Sequence, residues 1–143
     1  MKRTATSVWK GSGQEGQGTL DTQSGVFKNQ PYSFRTRFKN EEGKEGTNPE
    51  ELIAAAHAGC FNMALSVALG KSGYTPDELR TEAAVSLEKQ GEGFAVTRSV
   101  LTLTAKVPNI KQDEFDKIAK GAKENCPISK LLNCTIELNS ELK

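Results

Sequence analysis

The sequence predicts a single α+β domain over residues 1–143, with antiparallel sheets packed on one long central helix. Three observations carry that reading. An apolar, alanine-rich run over 48–70 has helix signals at both ends. Segments with strand-like alternation lie before it (1–40) and after it (81–107). A second amphipathic stretch, 111–124, precedes a Cys-Pro step and a last alternating segment within 126–142. Strands, helix, strands, helix and strand in that order argue for an α+β domain.

The elements follow in chain order. Ser7-Val8-Trp9 leads into the glycine-rich Gly11 to Gly16, a loop or hairpin signal, and Gly18 to Thr22 suits the returning strand. Pro31 to Phe38 suits a third strand, with Tyr32, Phe34 and Phe38 on one face and Ser33, Arg35 and Arg37 on the other. Lys39 to Gly46 is a polar loop. Asn48 is a good N-cap, Pro49 suits the first helical position, and Glu51 stands where a capping-box carboxylate belongs. The helix runs to about Leu69, with Gly70 or Gly73 at its end. Leu52, Ala56, Cys60, Met63 and Val67 form one stripe on it. Thr81 to Lys89 and Phe94 to Val107 read as a hairpin around Gln90-Gly91-Glu92-Gly93. Lys111 to Lys123 reads as a helix with Phe115, Ile118, Ala119 and Ala122 inward. Pro127 to Leu132 reads as a short helix, and Cys134 to Leu142 as a closing strand.

Composition narrows the function classes. The 19 basic and 18 acidic residues nearly cancel to a net charge of +1, so nothing favours a nucleic-acid partner. Met1-Lys2-Arg3 is followed by Thr4-Ala5-Thr6-Ser7 and not by an apolar run, so no signal peptide is expected and a cytoplasmic location is. The uncharged run Leu52 to Leu69 reaches membrane-spanning length. It contains His57, Asn62 and Ser66, however, and reads as a core helix packed on most sides rather than a span. Three widely spaced cysteines do not form a secreted disulfide framework. With no Cys-x-x-Cys and one histidine, no metal site is expected, and no cofactor motif is present.

The chemistry-bearing residues are few. Cys60, in mid-helix, reads by spacing alone as a buried structural thiol. His57 lies three residues upstream on the same face, as a packing or polar neighbour more than as a base. Cys126 precedes Pro127 at a helix start, where exposed amides favour a thiolate. Cys134 shares strand parity with Ile136 and Leu138 and reads as structural.

The runs Thr36-Arg37-Phe38, Gly46-Thr47-Asn48-Pro49-Glu50-Glu51-Leu52 and Ala55-Ala56-His57-Ala58-Gly59-Cys60-Phe61, with Cys126-Pro127-Ile128-Ser129, resemble the osmotically inducible protein C/organic hydroperoxide resistance family (OsmC/Ohr). The Arg37 position favours the OsmC branch. The resemblance implies an intertwined homodimer and a thiol peroxidase acting on organic hydroperoxides in stress defence. It implies Cys60 as the peroxidatic cysteine, Cys126 as the resolving one, Arg37 as the arginine that stabilises the thiolate, and Glu50 as the carboxylate that holds Arg37. It suggests a dithiol reductant, lipoyl-type in the Ohr branch. Gly59 stands where alanine is common, and Cys134 is an extra thiol.

Glu50 precedes Cys60 by ten residues, about 15 Å along a continuous helix. If Glu50 belongs to the site, a second subunit is expected to supply it through an antiparallel crossing of two such helices. Rival readings with the same thiols are a redox sensor, an apolar-ligand binder and a structural dimer with inert cysteines.

Overall fold

The computed structural model describes residues 1–143, which form two compact units, Met1–Leu52 and Ile53–Lys143. In the first, β1 (Ala5–Lys10), β2 (Gln17–Thr22) and β3 (Gln30–Ser33) make an antiparallel sheet in chain order. Gly18 on β2 pairs with Tyr32 on β3. A Cβ at Gly18 would collide with the Tyr32 ring, so only glycine lets that ring lie across the strand.

The third strand is shorter than the alternation predicts, and Phe34–Phe38 is a helix, α1. A capping box stops the strand: Thr36 N–H donates to Ser33 Oγ (3.1 Å) and Ser33 N–H to Thr36 Oγ1 (2.9 Å). Phe34 and Phe38 then meet at helical spacing, ring centroids 4.7 Å apart. An apolar pair four apart satisfies both periods, so alternation over so few residues could not separate strand from helix.

Helix α2 spans Pro49–Lys71. Asn48 Oδ1 accepts from Glu51 N–H at 2.9 Å, so the expected N-cap is present. The Glu51 carboxylate, however, accepts from Thr47 Oγ1. Gly73 ends the helix at φ +86°, and Tyr74 N–H closes onto Leu69 C=O at 3.0 Å.

In the second unit β4 (Glu78–Gln90) and β5 (Gly93–Lys106) form a long antiparallel hairpin. Its two-residue turn carries Gly91 at φ +59°. A register shift at Ser86/Leu87 adds one residue to β5. Helices α3 (Gln112–Asn125) and α4 (Pro127–Leu131) lead to β6 (Thr135–Leu142). β6 pairs with β5 in parallel, so the expectation of purely antiparallel sheets fails here. The reason is the connection: two helices between the strands form a crossover that returns the chain in the same direction.

The core of this unit is legible from parity. Ser99, Leu101, Leu103 and Ala105 alternate onto the inner face of β5. Against them lie Phe61, Leu65 and Leu69 of α2 and Phe115, Ala119 and Ala122 of α3, all buried. Complete burial of a side chain such as Phe61 contributes about 1.5–3 kcal/mol. The packed face of α2 is therefore His57, Phe61, Leu65 and Leu69. The stripe Ala56, Met63, Val67 is exposed and Cys60 half-buried, so the helix is not packed on most sides within one chain. It is also the one helix long and apolar enough to cross a membrane by length and composition. Asn62, polar within that run, is held by β4: it donates to Leu79 C=O (3.2 Å) and accepts from Thr81 Oγ1 (2.6 Å).

Candidate active site

The four residues expected in the site form two pairs, one in each unit. In the second unit, Cys60 on α2 and Cys126 at the start of α4 are both free thiols, near enough for each to perturb the ionisation of the other. Their sites arise locally. Cys60 falls at the edge of the packed face of α2, one residue before the buried Phe61. Pro127 at the first turn of α4 forces a new helix start immediately after α3, and leaves Cys126 at the junction, fully buried.

The two sulfurs differ electrostatically. Burial pushes the Cys60 thiol up, only partly countered by the Ile128 amide, and the neighbouring Cys126 sulfur adds to the rise. Burial also opposes ionisation of Cys126, but the Ser129 amide, the Cys60 thiol, the Ser129 hydroxyl and the Ile128 amide outweigh it and hold this thiol below its usual range. Cys126 makes no regular side-chain cap. The helix-start amides still point at it closely enough to favour an anion. Within this unit, then, ionisation is favoured at Cys126 over Cys60.

Cys60 opens onto a groove of about 900 Å³. Met63, Val67, Ile118, Pro127 and Ile128 line it, and Lys71, Ser72 and Asn125 are the polar residues at its wall. Phe61, next to Cys60 in sequence, does not reach this groove: it is buried in the core. Cys134, half-buried just before β6, sits at the Ser99 amide, and burial pushes its thiol up.

His57 does not face Cys60. Its Nδ1 lies 2.8 Å from Ser99 Oγ and its Nε2 2.8 Å from Ser129 Oγ. The ring is completely buried, and that burial lowers its pKa, so it is neutral at pH 7. Sequence reasoning assigned no role to Ser99 or Ser129. Ser129 stands in the Cys126-Pro127-Ile128-Ser129 motif, and Ser99 breaks the apolar parity of β5; those were the available signals.

In the first unit Arg37 and Glu50 form a bidentate pair, Nη2 to Oε1 at 2.7 Å and Nε to Oε2 at 3.2 Å. Neither bond uses Nη1. Because Phe34–Phe38 is helical, Arg37 does not point away from the aromatic cluster; its guanidinium lies over the Phe38 ring, 5.0 Å from the centroid. Trp9, Tyr32, Phe34, Phe38, Arg37 and Pro49 border a small pocket of about 140 Å³. Tyr32 thus lines a pocket with Arg37. Arg35 pairs with Glu45 in the open and is an ordinary surface charge.

Two free cysteines thus lie near one another at an apolar groove, with a buried histidine close by, on an α+β scaffold. The signature of the OsmC-like protein family matches residues 41–141, and the chain belongs to that family. It is 50% identical over 135 residues to peroxiredoxin OsmC of Escherichia coli (strain K12), covering 94% of this chain and 92% of that one. It is 30% identical to organic hydroperoxide resistance protein OhrB of Bacillus subtilis (strain 168), over 72% of this chain and 74% of that one. The crystal structure of Bacillus subtilis OhrB matches with a TM-score of 0.67 at 27% identity, over 98% of each chain. An OsmC-like protein of unknown function from Vibrio cholerae shares the fold, with a TM-score of 0.77 at 19% identity over 99% of each chain.

Proposed function

We propose that this protein is a cytoplasmic thiol peroxidase that reduces organic hydroperoxides to alcohols in stress defence, with Cys60 as the peroxidatic cysteine and Cys126 as the resolving one. The observation that carries this reading is the nearness of the two thiols at the wall of an apolar groove. The relatives named for peroxiredoxin and hydroperoxide resistance support the same chemistry.

The Cys60 thiolate attacks the distal peroxide oxygen. The O–O bond breaks, an S–O bond forms, and the alkoxide takes a proton to leave as alcohol. Cys126 thiolate then attacks the sulfenic sulfur; hydroxide leaves and takes a proton to become water, and the Cys60–Cys126 disulfide remains. An external dithiol, lipoyl-type in its chemistry, restores both thiols by exchange. An apolar groove favours alkyl hydroperoxides over hydrogen peroxide.

Cys60 needs a cation for this, because burial alone disfavours its anion. Arg37, braced by Glu50, is the group we assign. Glu50 lies about 15 Å from Cys60 along a helix that is continuous, so the Arg37–Glu50 pair is supplied by a second subunit in an intertwined homodimer. Two observations support that arrangement. The stripe Ala56, Gly59, Met63, Val67 on α2 is apolar, small and exposed in one chain. The β1–β3 sheet contributes no buried hydrophobic residue, so it lacks the core that would keep it folded alone.

Replacing Cys60 with serine should reduce turnover of cumene hydroperoxide with a dithiol to background. Retained turnover would overturn the assignment. A redox sensor using the same thiols would oxidise once and give no steady-state rate.

A further inference from the structure

The peroxidase cycle makes no use of one buried titratable group, His57. Both its ring nitrogens end on serine hydroxyls at 2.8 Å, and neither touches bulk water. Ser129 is the link outward, because its hydroxyl also lies against the Cys126 sulfur. The four groups form one chain, Ser99–His57–Ser129–Cys126, drawn from β5, α2 and α4.

Proton counting gives that chain a direction. A hydroxyl has one proton to donate. If Ser129 gives its proton to sulfur, it must accept from His57, and a neutral ring then carries its proton on Nε2. Nδ1 is left as an acceptor, and Ser99 O–H donates to it. In the opposite tautomer Ser129 would spend its proton on Nε2 and offer sulfur only a lone pair.

We propose that His57 is a positioning residue for the resolving step: held as the Nε2–H tautomer between Ser99 and Ser129, it commits the Ser129 hydroxyl proton to the Cys126 sulfur. This rests on the reading of Cys126 as the resolving thiol. The anion so held attacks the Cys60 sulfenic sulfur, an S–S bond replaces the S–O bond, and the departing hydroxide takes up a solvent proton. The lowered pKa of Cys126 agrees with a donated Ser129 proton. The other titratable groups around this chain are Cys60 on α2 and Cys134 at the Ser99 amide. Arg98 is on the opposite face of β5, paired with Glu137 of β6.

The test is a titration without peroxide. In a Cys60→Ser, Cys134→Ser background Cys126 is the sole thiol, and ultraviolet thiolate absorbance reports its ionisation. Adding His57→Leu should raise its apparent pKa by about one unit, roughly tenfold less thiolate at neutral pH. Ser129→Ala should give the same rise, the double variant should add nothing further, and His57→Gln, whose amide N–H can replace Nε2–H, should restore part of it. An unchanged titration in folded His57→Leu, or additive effects of the two substitutions, would overturn the proposal. Should His57→Leu not fold, nitrogen NMR of the unsubstituted protein decides: a protonated Nε2 supports it and a protonated Nδ1 sinks it. Because no peroxide is used, these results can fail while Cys60 turnover stands. Conversely, turnover retained in Cys60→Ser would remove the resolving role and leave the titration intact.

Discussion

His57 shows how one buried side chain couples stability to pH. Its ring is neutral in the fold because burial lowers its pKa. In the unfolded chain the same ring takes up a proton near pH ~6.5. Between those two values the unfolded state binds more protons, so stability falls as the pH drops below about 6.5, by up to about 1.4 kcal/mol per unit. Thermal melts from about pH 8 to about pH 5.5 should therefore fall more steeply for the native chain than for His57→Gln, which cannot titrate there. Equal slopes would mean that the ring takes up its proton in the fold as it does in the unfolded chain. The cysteines make a related point at the same scale. The sequence already separates them, Cys60 in mid-helix as a structural thiol and Cys126 at a helix start as a thiolate candidate. The surroundings divide them, since only Cys126 has two amides and a hydroxyl aimed at its sulfur.

At the scale of elements, α2 depends on its start. Asn48 satisfies the Glu51 amide, and Thr47 holds the Glu51 carboxylate. Asn48→Ala leaves that amide without its partner and should cost about 1 kcal/mol, read as a lower urea midpoint with an unchanged m-value. The same helix start carries Glu50, so fraying it loosens the Arg37 pair as well. Peroxidase rate should then fall along with stability, although Asn48 touches neither thiol. Helix α1 illustrates the reverse dependence. Its five residues are held by the Ser33–Thr36 box and by the Phe34–Phe38 contact, and they turn Arg37 onto the Phe38 ring.

For the whole molecule the exposed stripe of α2 is decisive. Met63 and Val67 are 69% and 55% exposed in one chain, a large apolar exposure for the longest helix. If two copies cross there, Val67→Glu places a carboxylate in the crossing while leaving the packed face, Phe61, Leu65 and Leu69, untouched. Light scattering should then find a monomer with native-like circular dichroism, and peroxide turnover should fall at least tenfold because Arg37 no longer reaches Cys60. A dimer that persists with full turnover would refute the shared site.

The sequence by itself determined the α+β class, the long capped helix and the hairpin with its glycine turn. Local rules suffice for the elements: caps, turn residues and period-two or period-3.6 patterns act over a few positions. Cys60, Cys126, Arg37 and Glu50 were singled out by the family resemblance of their motifs and not by these local rules. Only the tertiary structure decided the rest. The helical Phe34–Phe38 was hidden because its aromatic spacing fits both periods. The parallel pairing of β6 depends on where α3 and α4 deliver the chain. The face of α2 that packs is chosen by the sheet lying against it, since an alanine-rich helix offers several apolar stripes. Ser99 and Ser129 lie 42 and 72 positions from His57, and no short-range pattern in the chain brings them to its ring.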